Sequence, residues 1–227
     1  LKHLYRDLYR YPILKELRRA HSDTLDSDLI DPLFQDELVR TRFIGVGNPS
    51  ESGCHLLYYF RQENGLSKDL FIHTHEIFRR EPGSGTQHLR DASVTRYVFI
   101  DDFCGSGKQA TEYSRDLVED ILRLNPTATV AYYVLFATTK GISAVRSDTA
   151  FSEAREIYQL DPSFECFSTG SRYFLRPING IDKKFCQDMC QHYGATMVPP
   201  EDALGFANSQ LLLGFHHNTP DNTLPII

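Results

Sequence analysis

One stretch limits what this chain can fold into more than any other: residues 97–109, YVFIDDFCGSGKQ. Tyr97, Val98, Phe99 and Ile100 form an unbroken apolar run, the pattern of a parallel strand buried on both faces. They lead straight into Asp101 and Asp102, then into the small-residue loop Phe103, Cys104, Gly105, Ser106 and Gly107, after which a helical pattern begins. Open α/β sheets bind ligands at the carboxyl ends of their strands. Loop amides and a helix N-terminus at that place can hold a phosphate dianion, whereas two carboxylates suit sugar hydroxyls or a cation. A sugar phosphate uses both. The plainer alternative is a buried strand ending in a turn whose acids cap the next helix. A P-loop fails on spacing. Asp102 stands where the Walker pattern needs its first glycine, and Gln109 follows Lys108 where Ser or Thr is required.

The flanking sequence supplies the rest of an α/β domain. Ala110, Tyr113, Leu117, Ile121 and Leu124 recur at helical spacing up to Pro126, and 129–137 (TVAYYVLFA) reads as a second buried strand. Strand, loop, helix and strand in that order predict a βαβ unit with parallel pairing. A short helix over 138–154, a strand over 156–160 and a helix over 181–192 stopped by Gly194 are expected to follow, with a strand over 209–215. Upstream, a strand is expected to start at Arg42 and end in the Gly-x-Gly-Asn-Pro turn at Gly45, and 70–75 predicts another; periodicity leaves 55–61 open between helix and strand. Residues 79–95 are polar and rich in Gly and Pro, which predicts a mobile loop. Residues 1–40 read as helical, interrupted at Pro12, with a polar link over 21–28 and a shorter helix over 32–39. The expected organisation is a helical extension over 1–40 and one α/β domain over 41–227.

The central stretch resembles the signature of type I phosphoribosyltransferases: four hydrophobic residues, two acids and a small-residue loop. That resemblance implies that Asp101 and Asp102 are the catalytic acidic pair, binding the ribose hydroxyls of 5-phosphoribosyl 1-diphosphate (PRPP) and, through it, Mg²⁺. It implies that Gly105, Ser106, Gly107, Lys108 and Gln109 wrap the 5′-phosphate. The family usually has glycine at the place of Lys108 and threonine at the place of Gln109, so this loop departs from the pattern. In the same family a loop after the first core strand contacts pyrophosphate, which would fall on Gly45, Gly47, Asn48 and Ser52; an ordinary Gly/Pro turn accounts for those residues equally well. A flexible loop closing over PRPP would fall on 79–95, where Arg79, Arg80 and Arg90 could meet the leaving group. "GFHHNTPDNTLPI", with "FIGVGNPSESG" and "VFIDDFCGSGK", resembles the PRTase-CE family over about residues 40–227. Membership implies a phosphoribosyltransferase-like fold, with a mainly parallel sheet flanked by helices, and His217, Asn218 and Asn222 near the site. It also implies protein partners in a bacterial anti-phage defence operon. Whether such a protein is an enzyme, a PRPP or nucleotide sensor, or a structural subunit stays open at this point.

Composition removes other classes. The 41% hydrophobic content supplies a core, and the net charge of −6 gives no global attraction for nucleic acid or an anionic membrane, although a local basic patch is compatible with it. No apolar run approaches the ~18 residues of a membrane span, and no signal peptide is visible. Five scattered cysteines suit a reducing cytoplasm. The chain starts at Leu1 and stops in an apolar run, which reads as a segment of a longer protein. His73 and His75 lack a third metal ligand nearby, and Cys186 with Cys190, one helical turn apart, reads as core.

Overall fold

The computed structural model describes residues 1–47, 52–176, 181–216 and 218–227, with the backbone alone for 52–55. Its centre is a four-stranded, all-parallel sheet in the order β1–β4–β5–β6, formed by β1 (Thr41–Gly45), β4 (Arg96–Cys104), β5 (Thr129–Thr138) and β6 (Glu153–Leu160). The long apolar runs take the middle of the sheet because both their faces are covered. Val98, Phe99 and Ile100 of β4 and Val130, Ala131 and Val134 of β5 are all fully buried. Removing such side chains from water contributes roughly 1.5–3 kcal/mol each. The α/β class with helices flanking a parallel sheet is therefore as the sequence predicts.

Each face has its own core. On one, Val98, Ile100, Ala131 and Tyr133 pack with α2 (Ser27–Val39), α3 (Ser52–Asn64) and the N-terminal helix, a π-type stretch Leu4–Arg10 continuing into α1 (Tyr11–Ala20). Leu4, Leu8, Tyr9 and Ile13 are buried there, so the N-terminal helices form one layer of the sheet's packing. The Tyr9 hydroxyl donates to Thr41 Oγ1 at 2.8 Å, whose own hydroxyl donates to the Glu37 carbonyl at 2.8 Å, tying this layer to the start of β1. On the other face, Tyr97, Phe99, Val130, Tyr132 and Val134 pack beneath α6 (Thr139–Asp148) and three helical stretches that continue one another: α4 (Lys108–Tyr113), Ser114–Val118 and α5 (Glu119–Leu124). A smaller third core joins Cys166, Phe167, Cys190, Leu204 and Leu224 beside α7 (Lys183–Gly194). Cys190 is buried in it and Cys186 packs against it.

Several elements differ from the sequence expectations. Pro12 does not break the N-terminal helix; it is carried inside it, just after the π-type stretch Leu4–Arg10 passes into α1, as Pro32 is carried inside α2, which begins at Ser27. Residues 70–75 are not a strand. The chain touches β1 at the single bridge Phe71–Phe43 and then turns through the short 3₁₀ helix Thr74–Glu76, closed by a reciprocal capping box between His73 and Glu76. The stretch 79–95 is not a structureless loop: β2 (Phe78–Arg80) and β3 (Gln87–Leu89) pair as an antiparallel hairpin. Residues 209–215 do not join the sheet either. They pair with the chain's own end, through a bridge between Leu211 and Thr223 and bonds from Leu211 N to Asn222 O (3.2 Å) and Leu224 N to Leu211 O (3.0 Å).

Candidate functional site

β4 ends in a cavity of about 600 Å³. Asp101 and Asp102 lie in its wall, followed by Gly105, Ser106 and Gly107 of the loop and by Lys108 and Gln109 at the start of α4. Gly107 explains how this loop tolerates a lysine next to it. Gly107 itself takes the left-handed turn (φ 79°, ψ −1°), so Lys108 is the first helical residue and its Cβ meets no backbone restriction. The Lys108 ammonium stands 4.0 Å from Glu112 Oε1 and 6.0 Å from the centre of the Phe206 ring. Gly105 is needed for a different reason, since a Cβ there would collide with the side chain of Asn222 from the opposite wall. Thr138, at the end of β5, fixes the loop from behind. Its hydroxyl donates to the Gly105 carbonyl at 2.5 Å and accepts from Gly141 N at 2.9 Å, capping α6 in the same contact.

The two carboxylates are not equivalent. Both residues are about 95% buried, at 4% and 5% exposure. Asp101 Oδ2 accepts from the Tyr132 hydroxyl at 2.7 Å, and its Oδ1 accepts from the backbone N–H of Asp102 at 2.9 Å. Burial, followed by the charge of Asp102, pushes the Asp101 carboxyl up to about 8, against the lowering effect of those two hydrogen bonds. Asp101 is thus largely neutral at pH 7. Cys104 belongs to the same buried cluster: burial first, then the Asp101 charge, pushes its thiol up to about 12, which leaves it a thiol and not a nucleophilic thiolate. Tyr132 is shifted well above its ordinary value, again by burial and by Asp101.

The turn after β1 reaches the same place. Val46 N donates to the Ile100 carbonyl at 3.0 Å, setting this turn beside Asp101, and Val46 lines the cavity. Gly47 N donates to the Tyr113 hydroxyl at 2.9 Å, so a side chain from α4 ties the two loops together. Asn48 lies outside the described residues, as does the side chain of Ser52, whose backbone opens α3. From the C-terminal segment, Asn218, Thr219, Pro220, Asp221 and Asn222 complete the wall, while His217 lies outside the described residues. Asn222 is mainly architectural. Its Nδ2 donates to Phe206 O (3.3 Å) and Ser209 Oγ (3.1 Å), holding the strained turn before it.

A family model described as PRTase-CE matches residues 1–227. The chain belongs to that family. Among solved structures, it is similar to orotate phosphoribosyltransferase from Aeropyrum pernix, at 17% identity and a TM-score of 0.33, over 66% of this chain and 68% of that one. It is also similar to Helicobacter pylori xanthine-guanine-hypoxanthine phosphoribosyltransferase, at 10% identity and a TM-score of 0.31, over 59% and 80% of the two chains. No curated protein matches its sequence.

The PRTase-CE match includes the N-terminal helices, which the quoted motifs did not reach. Sequence reasoning also missed Tyr132, Tyr113, Thr138 and Phe206. Tyr132 and Tyr113 sit in apolar patterns that mark them as core; a buried Tyr must place its hydroxyl somewhere, and that requirement was the available signal. Thr138 carried the signature of an N-cap before a helix. Phe206 carried none. Arg79, Arg80 and Arg90 do not line the cavity; they lie on or just after the β2–β3 hairpin. His73 and His75 stack their rings at 5.6 Å, and among the described residues no group of three His, Cys, Asp or Glu side chains is placed to hold a metal. No helix among them is long and apolar enough to cross a membrane.

Proposed function

We propose that this PRTase-CE domain binds PRPP or a nucleotide in the cavity at the end of β4. The observation carrying that reading is the convergence, on one cavity, of an acidic pair, a glycine-containing loop that opens a helix, and the turn after β1. The small-residue loop that opens α4 and the Lys108 ammonium suit a phosphate. Asp102 suits the ribose hydroxyls, because both oxygens of Asp101 already accept hydrogen bonds from Tyr132 and from the Asp102 amide. Mg²⁺ accompanying PRPP would be held by Asp102 together with the oxygens of the ligand, the donor set a hard cation prefers. As an enzyme, the protein would orient a nucleophile towards C1′ while pyrophosphate leaves, a task of positioning and charge stabilisation that needs no nucleophilic side chain. In the same reading the chain acts in the bacterial cytoplasm within an anti-phage defence system, alongside protein partners.

A second reading, a sensor that binds the ligand without turnover, is favoured by one feature. Asp101 is tied down and largely neutral, which leaves the acidic pair with less negative charge than two free carboxylates would carry. Calorimetric titration of PRPP with Mg²⁺ into the protein and into Asp102→Asn, with pyrophosphate release followed in parallel, separates the two. Binding that weakens at least about tenfold in the variant is expected, the loss from one charge-assisted hydrogen bond. Pyrophosphate release selects the enzyme, and binding without release selects the sensor. If the native protein binds neither PRPP nor nucleotides, both readings fail.

A further inference from the structure

We infer that the N-terminal helix carries a contact surface for single-stranded nucleic acid. Residues 1–20 hold six lysines and arginines against two acids, a net +4 in a chain whose total is −6. Such asymmetry concentrates the positive potential on one element. The structure gathers it further: Arg10, Lys15, Arg18 and Arg19 line a groove of about 780 Å³ with Tyr11 and a single acid, Asp23. That groove shares no residue with the β4 cavity. Among the ion pairs of the described residues, none uses any of these four cations. Arg18 Nε is buried and makes no hydrogen bond. The helix dipole accounts for Arg18 and Arg19 in the last turn of α1, but not for Arg10 and Lys15, which lie earlier.

Three of the four cations are arginines, whose planar fork matches phosphate oxygens in pairs. From Arg10 to Arg19 the helix advances about 13 Å, the length of about four phosphates along one stacked strand. Tyr11 is 52% exposed beside them, with the Arg6 guanidinium 5.8 Å from its ring centre on one side. An exposed aromatic ring among cations is what an unpaired base stacks on. A carboxylate-rich polypeptide would use the charges and leave the ring idle, so the surface favours nucleic acid. Duplex DNA or RNA, with its bases already stacked, would leave it idle too.

The test is fluorescence anisotropy of a labelled oligothymidylate of about ten residues, titrated with the full chain from about 50 mM salt upwards. Binding is expected to weaken with salt, at a log–log slope of roughly −2 to −3. Lys15→Glu/Arg19→Glu should reduce affinity tenfold or more and flatten that slope, and Tyr11→Ala should weaken binding without changing the slope. Lys184→Glu, on the exposed face of α7, should do neither. Circular dichroism checks that each variant remains folded. No binding at low salt, an equal loss with Lys184→Glu, or affinity for polyglutamate matching that for the oligonucleotide would overturn the inference. This outcome does not depend on whether the β4 cavity takes PRPP.

Discussion

The two walls of the β4 cavity are built in opposite ways. The first, Asp101 to Lys108, grows from the middle of a parallel sheet, with fully buried Val98, Phe99 and Ile100 immediately before it. The second, Phe206 and residues 218–222, rests on the smallest of the three cores. It is held by side-chain bonds from Asn222 and Ser209 and by four consecutive or near-consecutive left-handed residues: Gly205, Ala207, Asn208 and Gln210, with φ of 87°, 54°, 57° and 53°. Non-glycine residues hold such conformations only where their surroundings over-determine them. The comparison teaches that position on the sheet wall follows from burial, whereas position on the C-terminal wall follows from a few directed bonds. The first should resist perturbation as a unit, and the second should come apart piecemeal.

The largest expected effect lies on the sheet wall. Asp101 titrates at about 8 when folded against 3.8 as a free side chain, so the folded state keeps a proton that the unfolded chain releases. Its contribution to stability is complete below about 3.8 and is lost as the pH rises towards 8. Urea unfolding of the native protein should therefore show stability falling across that window, by an amount on the order of a few kcal/mol. Asp101→Asn, which mimics the protonated acid, should flatten the curve. Parallel curves for the two proteins would mean that Asp101 is ionised and the sheet wall is less desolvated than its burial indicates.

A smaller effect probes the contact between the walls. Asn222→Ala should cost roughly 1–3 kcal/mol through the loss of its two hydrogen bonds to the half-buried Phe206 carbonyl and Ser209 hydroxyl, and hydrogen exchange should speed up over 205–211 while β4 stays protected. Gly105→Ala should cost a similar amount by colliding with Asn222. Because the collision needs both side chains, the double variant should cost less than the two single costs combined. Strict additivity would break the picture of two walls meeting at that point. The smallest effect is expected for Thr138→Val, about 1 kcal/mol for a lost cap. A drop in phosphate-ligand affinity accompanying it would show that the Gly105 loop depends on β5 for its shape.

By itself, the sequence determined the two central strands of the sheet and the first wall. The runs 97–100 and 129–137 can only be strands covered on both faces, and the residues directly after a parallel strand must fall at its carboxyl end. Adjacency along the chain and a strong period were enough. Only the tertiary structure decided the rest, because each remaining feature joins residues far apart in sequence. Tyr132 meets Asp101 across 31 positions, Tyr113 meets Gly47 across 66, and Asn222 abuts Gly105 from the far end of the chain. The apolar stretch 209–215 had the composition of a strand, yet the sheet already ended at β6 and the segment paired with residues 222–224 instead. Local pattern fixes which face of an element is buried; it carries no information about which distant partner will bury it, and that choice set both the charge state of Asp101 and the shape of the cavity.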